Sequence, residues 1–407
     1  MKFIHMADVH LGSWRDPKMR ELSTRAFVGV ISRALSERVD FVLMAGDLFN
    51  TSLPPIETLK IAVTQLKRLK DADIPVYTIA GSHDFSPSGK TMLEVLEEAD
   101  LVKNVCRGRS VEGKLELNLT VDPKTGAKIT GMIGKKGMLE RSHYEGLITK
   151  NLEQETGFKI FMFHTALTEL KPEELAKMEA APISLLPRGF DYYAGGHVHI
   201  VKEASIEGYK KVVYPGPTFP NSFSELEKLG CGGYYSYDGA LDDGKIAYHK
   251  IDLAPVVTLS IDCSNKTPQQ GTELLLDEVM AKTVKDSIVL IRLYGQLDSG
   301  NTSDIDLGLA IERIHEKGAY SVMKNTSKLS SNEFEEIKVS ADSAEEAERS
   351  VIEEHVGQIR SLELDAQEEK ALVETLMTLL DTEKDEGEKV SDYERRVLVD
   401  IQNVFEK

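Results

Sequence analysis

The sequence is poor in cysteine and tryptophan, with three of the first and one of the second among 407 residues. The cysteines, Cys106, Cys231 and Cys263, are far apart and form no CxxC pair. Neither a disulfide framework nor a thiolate zinc site is therefore expected. Because unpaired thiols are usual in a reducing compartment, we expect the protein in the cytoplasm.

Long apolar runs are also missing. No stretch of about 18 apolar residues occurs, so the sequence predicts no transmembrane helix and no membrane partner. The opening residues, MKFIHMAD, have neither the length nor the cleavage site of a signal peptide. Hydrophobic residues make up 41% and charged residues 29%. This composition is typical of a globular protein, and the length gives room for roughly two or three domains.

The charge is acidic but unevenly distributed. The formal net charge is −18. Residues 331–407 contain 23 acidic and 9 basic side chains, and the 330 residues before them contain 44 and 40. The acidity therefore belongs mainly to the C-terminal part, and the body can carry a local basic surface. The overall charge neither supports nor excludes nucleic acid as a partner.

Strand and helix patterns alternate over the first 250 residues and again, on a smaller scale, over 256–324. Apolar runs predict strands over 2–7, 40–45, 74–80, 158–163, 192–196 and 211–214. From Ala341 onward, narrow apolar stripes on charged segments predict helices. We therefore expect a large domain over 1–254 and a small α/β domain over 255–325. A polar linker would follow over 326–340, and a helical region over 341–407.

Polar clusters follow the predicted strands at five places. They are DVH (8–10), GDLFN (46–50), GSHD (81–84), HT (164–165) and GGHVH (195–199). Ligands of α/β sheets lie beyond the carboxyl ends of strands, so we expect these clusters to converge. In a strand, positions i and i+2 point alike, which predicts that Asp8 and His10 face one side.

The clusters combine carboxylates with histidines, which suit Mn, Zn or Fe in a hydrolytic centre. Any single motif is weak evidence, because D-x-H and G-D-L also occur in plain turns. The ordered set of five, each after an apolar strand, is what predicts a metal site. The other reading of the set, five unrelated turns, requires the same order to arise by coincidence.

The ordered set resembles the calcineurin-type metallophosphoesterase superfamily. Within it, the chain is similar to the nuclease subunit of the double-strand-break repair complex in its compact archaeal form, whose bacterial counterpart is SbcD. FIHMADVHLG, GDLF, GSHD, FHT and GGHVH carry the resemblance, which extends over the whole chain. It implies an α/β fold, a two-sheet αββα-type sandwich with a small α/β capping domain that binds DNA and a helical C-terminal tail.

The resemblance also implies two divalent metals, with Mn²⁺ expected. One metal would be held by Asp8, His10 and His199, and the other by His164 and His197. The residue bridging both would be Asp47. His83 would be the general acid or a donor to the phosphate, and Asp84 would orient His83 by accepting its other ring proton.

Two residues depart from the family pattern. Ser82 stands where relatives have an asparagine that binds the second metal. Either the serine coordinates directly, a water fills the gap, or the second metal binds loosely. Asn50 stands where relatives often have a histidine that contacts the substrate, and an amide can still hydrogen-bond a phosphate. Lys135 and Lys136, flanked by glycines, are further candidates for contacts with the DNA backbone.

Three partners are implied by the resemblance. The first is DNA, which would make the protein nucleoid-associated. The second is another copy of the chain, paired through the helices predicted near 56–69 and 91–101. The third is a Rad/SbcC-type coiled-coil ATPase, bound by the apolar stripe between Val390 and Phe405.

The resulting hypothesis is a metal-dependent nuclease that degrades double-stranded DNA 3′→5′ and cuts single-stranded DNA. Two alternatives stay open. One is a small-molecule or cyclic-nucleotide phosphodiesterase of the same superfamily, for which the extra domain and tail are unneeded. The other is a DNA-end scaffold with a metal site weakened by Ser82.

Overall fold

The computed structural model describes residues 1–84, 91–135, 141–175, 178–239, 244–331, 365–380, 382 and 390–405. The chain divides into two compact units, Met1–Ser330 and Ser331–Lys407. Both β-sheets of the predicted sandwich lie in the first unit. The α/β class predicted from the sequence is confirmed.

Helices of the described residues begin and end as follows. They are α1 (Pro17–Glu37), α2 (Ile56–Asp71), α3 (Met92–Glu98), α4 (Arg141–Glu145), α5 (Lys150–Glu153), α6 (Phe223–Leu229), α7 (Pro268–Ala281), α8 (Leu307–Glu316), α9 (Ala366–Leu380) and α10 (Val390–Phe405). Helix α1 begins where the Asp16 side chain accepts the Met19 N–H and Pro17 fixes the first turn, and it ends at Arg38 in the left-handed conformation.

Strands of the described residues are named in chain order. They are β1 (Lys2–Met6), β2 (Phe41–Ala45), β3 (Val76–Ile79), β4 (Lys103–Asn104), β5 (Gly108–Val111), β6 (Lys114–Leu117), β7 (Thr120–Val121), β8 (Lys128–Gly131), β9 (Leu147–Ile148), β10 (Lys159–His164), β11 (Tyr192–Gly196), β12 (Val201–Ile206), β13 (Tyr209–Pro215), β14 (Gly232–Asp238), β15 (Lys245–Ile251), β16 (Val256–Asp262), β17 (Ile288–Leu297) and β18 (Ser321–Ser331).

The first large sheet has the order β15-β14-β1-β2-β3-β4. Strands β1 to β4 are parallel, and β14 and β15 are added antiparallel at one edge. Met6 and Met44 on one face of this sheet pack against Phe27 of α1 and Leu66 of α2. Parallel strands need crossover connections, and these two helices supply them.

The second large sheet has the order β12-β13-β11-β10-β8-β7, with β8, β10, β11 and β13 parallel. Along β10, Met162 joins a cluster with Phe3, Phe41 and Tyr192 from both sheets, whereas Phe163 joins the cluster on the outer face. Because side chains alternate along a strand, β10 is buried on both faces. The two sheets thus share one core, as the αββα prediction requires.

Residues 256–331, which we call the C-terminal α/β segment, form a three-stranded sheet in the order β16-β17-β18. Leu275 of α7 and Ile314 of α8 pack on Leu259 and Ile291 of this sheet. A further small sheet, β5-β6-β9, lies within the first unit. The sequence predicts a linker over 326–340, and this is wrong for 326–331, which belong to β18. Pairing in a sheet overrides the polar composition there.

The second unit contains α9 and α10, as predicted from the apolar stripes. The Tyr393 hydroxyl donates to the Thr382 carbonyl, 2.9 Å away. Leu380, Leu398 and Phe405 are more than half exposed. The stripe predicted over 351–359 lies outside the described residues. In the part of the chain that is described, each helix is too short or too polar to cross a bilayer.

Candidate metal centre

The residues of the predicted metal site follow strands of both large sheets and come together. β1 and β2 of the first sheet end just before Asp8 and Asp47, β10 ends at His164, and β11 ends just before His197. Side-chain donor atoms of these strand ends lie within 4.8 Å of one another in three overlapping sets. The sets are Asp8, His10 and His199; His10, Asp47 and His83; and Asp8, Asp47 and His164.

The loop after β1 is hydrogen-bonded to the loop after β2. The Asp8 N–H donates to the Gly46 carbonyl at 3.2 Å, and the His10 N–H donates to the Asp47 carbonyl at 2.9 Å. Asp8 and His10 are not extended, because their φ angles are 50° and 46°. The expected convergence of these two side chains is present, but the strand argument for it is wrong, since a left-handed turn brings them together.

Backbone strain is concentrated at the predicted ligands. Twelve non-glycine residues of the described part have a positive φ, and five of them are Asp8, His10, Asp47, His197 and His199. Each such residue costs on the order of 1–3 kcal/mol and persists only where its surroundings hold it. The strain therefore marks this loop cluster as a functional site.

Two glycines let the backbone approach the ligands closely. A Cβ atom on Gly46, whose φ is +87°, would lie 2.3 Å from His164 Nδ1. A Cβ atom on Gly81 would lie 2.2 Å from Asp47 Oδ1. Both distances are far below van der Waals contact, so a larger residue at either position would displace a ligand side chain.

The first donor set joins His10 and His199. Their Nε2 atoms are 3.1 Å apart, and His199 Nε2 is 3.7 Å from Asp8 Oδ1. His199 Nδ1 lies 3.0 Å from Glu225 Oε1. Because a carboxylate only accepts, Nδ1 carries the proton and Nε2 is turned to the centre.

The third donor set joins Asp47 and His164 with Asp8. His164 Nε2 is 3.1 Å from Asp47 Oδ2, and His164 Nδ1 donates to the Ala45 carbonyl at 2.8 Å. The His83 N–H donates to Asp47 Oδ1 at 2.7 Å. Asp47 Oδ2 is also 3.5 Å from His10 Nε2, so this carboxylate faces both His164 and His10.

His197 and Ser82 lie beside the third set. The His197 ring centroid is 5.1 Å from that of His164, and the His197 N–H donates to Asp8 Oδ1 at 2.9 Å. Ser82 is buried, with its Oγ 3.4 Å from Asp47 Oδ2. Both side chains therefore lie beside the centre.

Burial favours the neutral form of the histidines, whereas the neighbouring carboxylates favour the protonated form. Burial lowers the pKa of His164, but the charge and hydrogen bond of Asp47 outweigh it and raise the pKa to about 10. In His199, Asp8 and Glu225 likewise overcome burial and raise the pKa to about 9. Burial lowers the pKa of His197 to about 3. Without bound cations, protons on His164 and His199 therefore balance the buried carboxylates.

The predicted partnership between His83 and Asp84 is wrong. His83 Nδ1 lies 2.8 Å from the Asn50 carbonyl oxygen, which accepts its proton. The Asp84 carboxylate is buried and accepts the N–H groups of Gly81, Leu48 and Phe49 at 3.1–3.3 Å. Asp84 therefore supports the loops that carry Asp47 and His83, and burial raises its pKa to about 7.

The predicted DNA-contact residues are only partly described. Asn50 is half-buried, and its carbonyl rather than its side chain orients His83. Lys135 is half-buried and follows Gly134, where a Cβ atom would lie 2.4 Å from the His164 ring. This position brings the loop of Lys135 next to the centre. Lys136 lies outside the described residues.

Glu225 is a site residue that the sequence reasoning missed. Its carboxylate accepts from His199 Nδ1 and from the Asn221 N–H. The pattern Ser222-x-x-Glu225 predicts the start of a helix, and the Ser222 hydroxyl does cap α6. No sequence pattern relates that helix to His199, so the contact needed the fold.

The donor set fits divalent cations. The Nε2 atoms of His10 and His199 face each other at 3.1 Å and can share only one proton. A cation between them would satisfy both lone pairs. Imidazoles with shared carboxylates are the donors of hydrolytic Mn, Zn or Fe centres.

Comparison with known proteins agrees with this geometry. The family model for calcineurin-like phosphoesterases matches residues 1–201. The chain is similar to DNA double-strand break repair protein Mre11 of Archaeoglobus fulgidus, with 30% identity over 56% of this chain and 52% of that protein. Mre11 of Sulfurisphaera tokodaii is 31% identical over 52% and 57% of the two chains. Mre11 of Sulfolobus acidocaldarius is 30% identical over 72% and 75%.

The chain thus spans about half the length of the first two relatives and three quarters of the third. The phosphoesterase match covers the strands that carry the donors up to His199. The third alignment extends the likeness over most of both chains. The chain therefore belongs to the Mre11 family of calcineurin-like phosphoesterases, metal-dependent hydrolases with a dimetal site.

Proposed function

We propose that the chain is a two-metal-dependent DNA nuclease of double-strand-break repair, active as a double-stranded 3′→5′ exonuclease and a single-stranded endonuclease. The observation that carries the proposal is the convergence of aspartates and histidines from two sheets around Asp47. Membership of the Mre11 family supports DNA as the substrate. Such a substrate would put the protein in the cytoplasm, at the nucleoid.

Two Mn²⁺ ions are the proposed cofactors. The residues holding them would be Asp8, His10 and His199 on one side, His164, His197 and Ser82 on the other, and Asp47 on both. When bound, such ions acidify a water molecule and neutralise charge on the phosphodiester. The buried loops around Asp47 exclude bulk water, which strengthens each electrostatic contact.

His83 is the proposed general acid. The Asn50 carbonyl accepts from Nδ1, so the ring is held with Nε2 as the atom that exchanges a proton with the substrate. The His83 ring lies 4.7 Å from the His10 ring, next to the donor atoms. Asp84 would act on the reaction only by supporting the loops.

The remaining parts of the chain have proposed partners. Residues 255–325 would be the capping domain that contacts DNA, beside Asn50, Lys135 and Lys136. The region 341–407 would bind a Rad/SbcC-type coiled-coil ATPase, supported by the exposed Leu398 and Phe405 of α10. A second copy would pair through α2 and α3, where Ile56 is 80% and Val95 53% exposed.

The test compares two substrates in Mn²⁺, end-labelled linear duplex and bis-p-nitrophenyl phosphate, for wild type and His83→Ala. We expect wild type to cut both and His83→Ala to lose DNA cleavage. His315→Ala, at an exposed position far from the motifs, is the control. Cleavage of the small ester alone would favour a small-molecule phosphodiesterase, and inactivity on both would favour a DNA-end scaffold.

The position of the label decides the direction of degradation. With a 5′ label, 3′→5′ digestion gives a ladder of shortening labelled strands, whereas with a 3′ label it releases labelled mononucleotide at once. The opposite pattern would contradict the proposed direction. A circular single strand, which has no ends, tests the endonuclease activity separately.

A further inference from the structure

Helix α6 lies between the His199 side of the centre and the C-terminal α/β segment. It is short and defined at both ends: the Ser222 hydroxyl accepts the Glu225 N–H at 3.2 Å, and Gly230 follows with a φ of +69°. Its three consecutive residues 225, 226 and 227 point in different directions, because successive helix positions are about 100° apart.

Glu225 points to the metal centre. Oε1 accepts from His199 Nδ1 at 3.0 Å, and Oε2 accepts the Asn221 N–H at 2.8 Å. Both carboxylate oxygens are therefore committed, one to the ligand and one to the backbone before α6. The pair fixes both the tautomer and the direction of the His199 ring.

Glu227 points to the C-terminal α/β segment. Arg292 of β17 donates to it through Nε and Nη2, both at 2.7 Å. The same guanidinium lies over the Phe223 ring, 5.0 Å from its centroid. A two-pronged arginine contact restricts rotation as well as distance, so it fixes the orientation of α6.

Leu226 anchors the helix in a core shared by the two parts of the unit. It is fully buried in a cluster with Trp14 and Leu22 from the phosphoesterase part and Ile288 and Leu290 of β17. Because these side chains are close-packed, α6 cannot move independently of β17. A displacement of the C-terminal α/β segment would carry Glu225 with it.

We propose that Glu225 is the positioning residue of His199, and that the C-terminal α/β segment holds Glu225 in place through the Arg292–Glu227 pair. The inference rests on the proposed role of His199 as a metal ligand. The affinity of the His199 side for metal then depends on Arg292 of β17, which is not one of the donor residues. The His164 side has no such dependence, since a main-chain carbonyl holds its ring.

The first test measures Mn²⁺ binding by calorimetry for wild type, Glu225→Gln and Arg292→Met. We expect Glu225→Gln to weaken one of two binding constants by about 10–100-fold, because an amide N–H facing Nδ1 favours the wrong tautomer. Arg292→Met should weaken the same constant by about fivefold. The other constant should stay within error in both variants.

A second readout is the tautomer of neutral His199 in the metal-free protein, measured by ¹⁵N NMR of the imidazoles at about pH 10, above the range in which Asp8 and Glu225 keep the ring doubly protonated. Wild type should carry the proton on Nδ1, and Glu225→Gln should shift it toward Nε2. A purely structural role of Glu225 would change the melting temperature without moving the tautomer.

The double variant Glu227→Gln with Arg292→Met tests the pair itself. If the two side chains act as one unit, the double variant should bind metal no more weakly than the weaker-binding of the two single variants. Arg313→Met is the matched control, since this arginine of the same segment pairs with exposed Glu316 at 2.8 Å and is remote from α6. It should leave both constants unchanged.

The outcomes separate this inference from the proposed function. Wild type that binds fewer than two Mn²⁺ would contradict the proposed function. Wild type that binds two, with Arg292→Met and Glu227→Gln unchanged in affinity, would overturn the coupling, and an unchanged tautomer in Glu225→Gln would overturn the positioning role. If Arg292→Met fails to fold, Glu227→Gln carries the same test, because at unchanged volume it removes the negative charge and one of the two acceptor oxygens of the pair.

Discussion

His164 and His199 both present Nε2 to the proposed centre, but different groups hold their second ring nitrogens. His164 is fully buried, and the Ala45 carbonyl of β2 accepts from its Nδ1. The His199 side chain is 20% exposed and is held by the Glu225 carboxylate. One side of the centre is therefore built by strand backbone, and the other depends on a side chain of a short helix.

The two sides of the centre therefore differ in how easily their ligands can be displaced. A backbone carbonyl inside a sheet cannot move without breaking the sheet. A carboxylate on α6 can move with its helix, and α6 is attached to the C-terminal α/β segment through Arg292. We expect metal binding to respond differently to changes on the two sides.

Replacing Asp47 should have the largest effect, because it faces both sides. Asp47→Asn removes the charge that balances protonated His164 and that faces the neutral His10 ring. We expect DNA cleavage in Mn²⁺ to fall by about a thousandfold, corresponding to about 4 kcal/mol of lost stabilisation. Asp262→Asn, which changes an exposed aspartate, is the control. Cleavage within tenfold of wild type would show that the two sides do not share this carboxylate.

Gly81→Ala should come next, because its Cβ would lie 2.2 Å from Asp47 Oδ1. A ligand displaced by about 1 Å costs on the order of a hundredfold in rate. Gly29→Ala is the matched control, since nothing lies within 4 Å of the added atom in α1. Equal cleavage rates for the two alanine variants, measured on the same duplex, would contradict the close-approach account.

His5 shows what burial does to an imidazole that no carboxylate accompanies. It is fully buried, lies 3.0 Å from the Tyr192 hydroxyl, and burial lowers its pKa from 6.5 to about 3. Below pH 6.5 His5 binds a proton in the unfolded chain but stays neutral in the native state. The free energy of unfolding therefore decreases as the pH falls.

Urea unfolding of the metal-free protein at pH 7 and pH 5 measures this loss. Wild type should lose about 2 kcal/mol more free energy of unfolding than His5→Gln between these values. His315→Gln, which is exposed, should behave as wild type. An equal loss in wild type and His5→Gln would mean that His5 accepts a proton in the native state.

Ser82→Asn should have the smallest effect and should act on the His164 side alone. Ser82 Oγ is 3.4 Å from Asp47 Oδ2, and an amide oxygen reaches further than a hydroxyl. We expect the weaker Mn²⁺ constant to tighten by about tenfold, or about 1.4 kcal/mol. Calorimetry that finds equal constants for wild type and Ser82→Asn would dispose of the idea that Ser82 loosens the second metal.

Much of the fold could be predicted from the sequence, because buried strands such as Phe41–Ala45 are apolar and end in polar motifs. The donors brought together around Asp47 were found in the same way. Contacts made by the backbone could not be predicted from the sequence. The carbonyl of Asn50, not the Asp84 side chain, holds His83, and spacing along a chain does not reveal which amide or carbonyl faces a ring.

The side chains of Asp8 and His10 converge as expected, but the structural cause differs from the expected one. Alternation along a strand predicts it, yet both residues have left-handed backbone. Glu225 was missed because its contact with His199 joins residues 26 positions apart through a helix start that resembles many others. The extension of β18 to Ser331 was missed because polar residues at a sheet edge do not differ in composition from a linker.

The most direct measurement is anomalous diffraction at the manganese edge from crystals equilibrated with Mn²⁺. Two peaks about 3.5–4 Å apart, with the carboxylate of residue 47 between them and the imidazoles of 164 and 199 on opposite sides, are the predicted result. A single peak, or peaks away from these side chains, would contradict a dinuclear centre built where the two sheets meet.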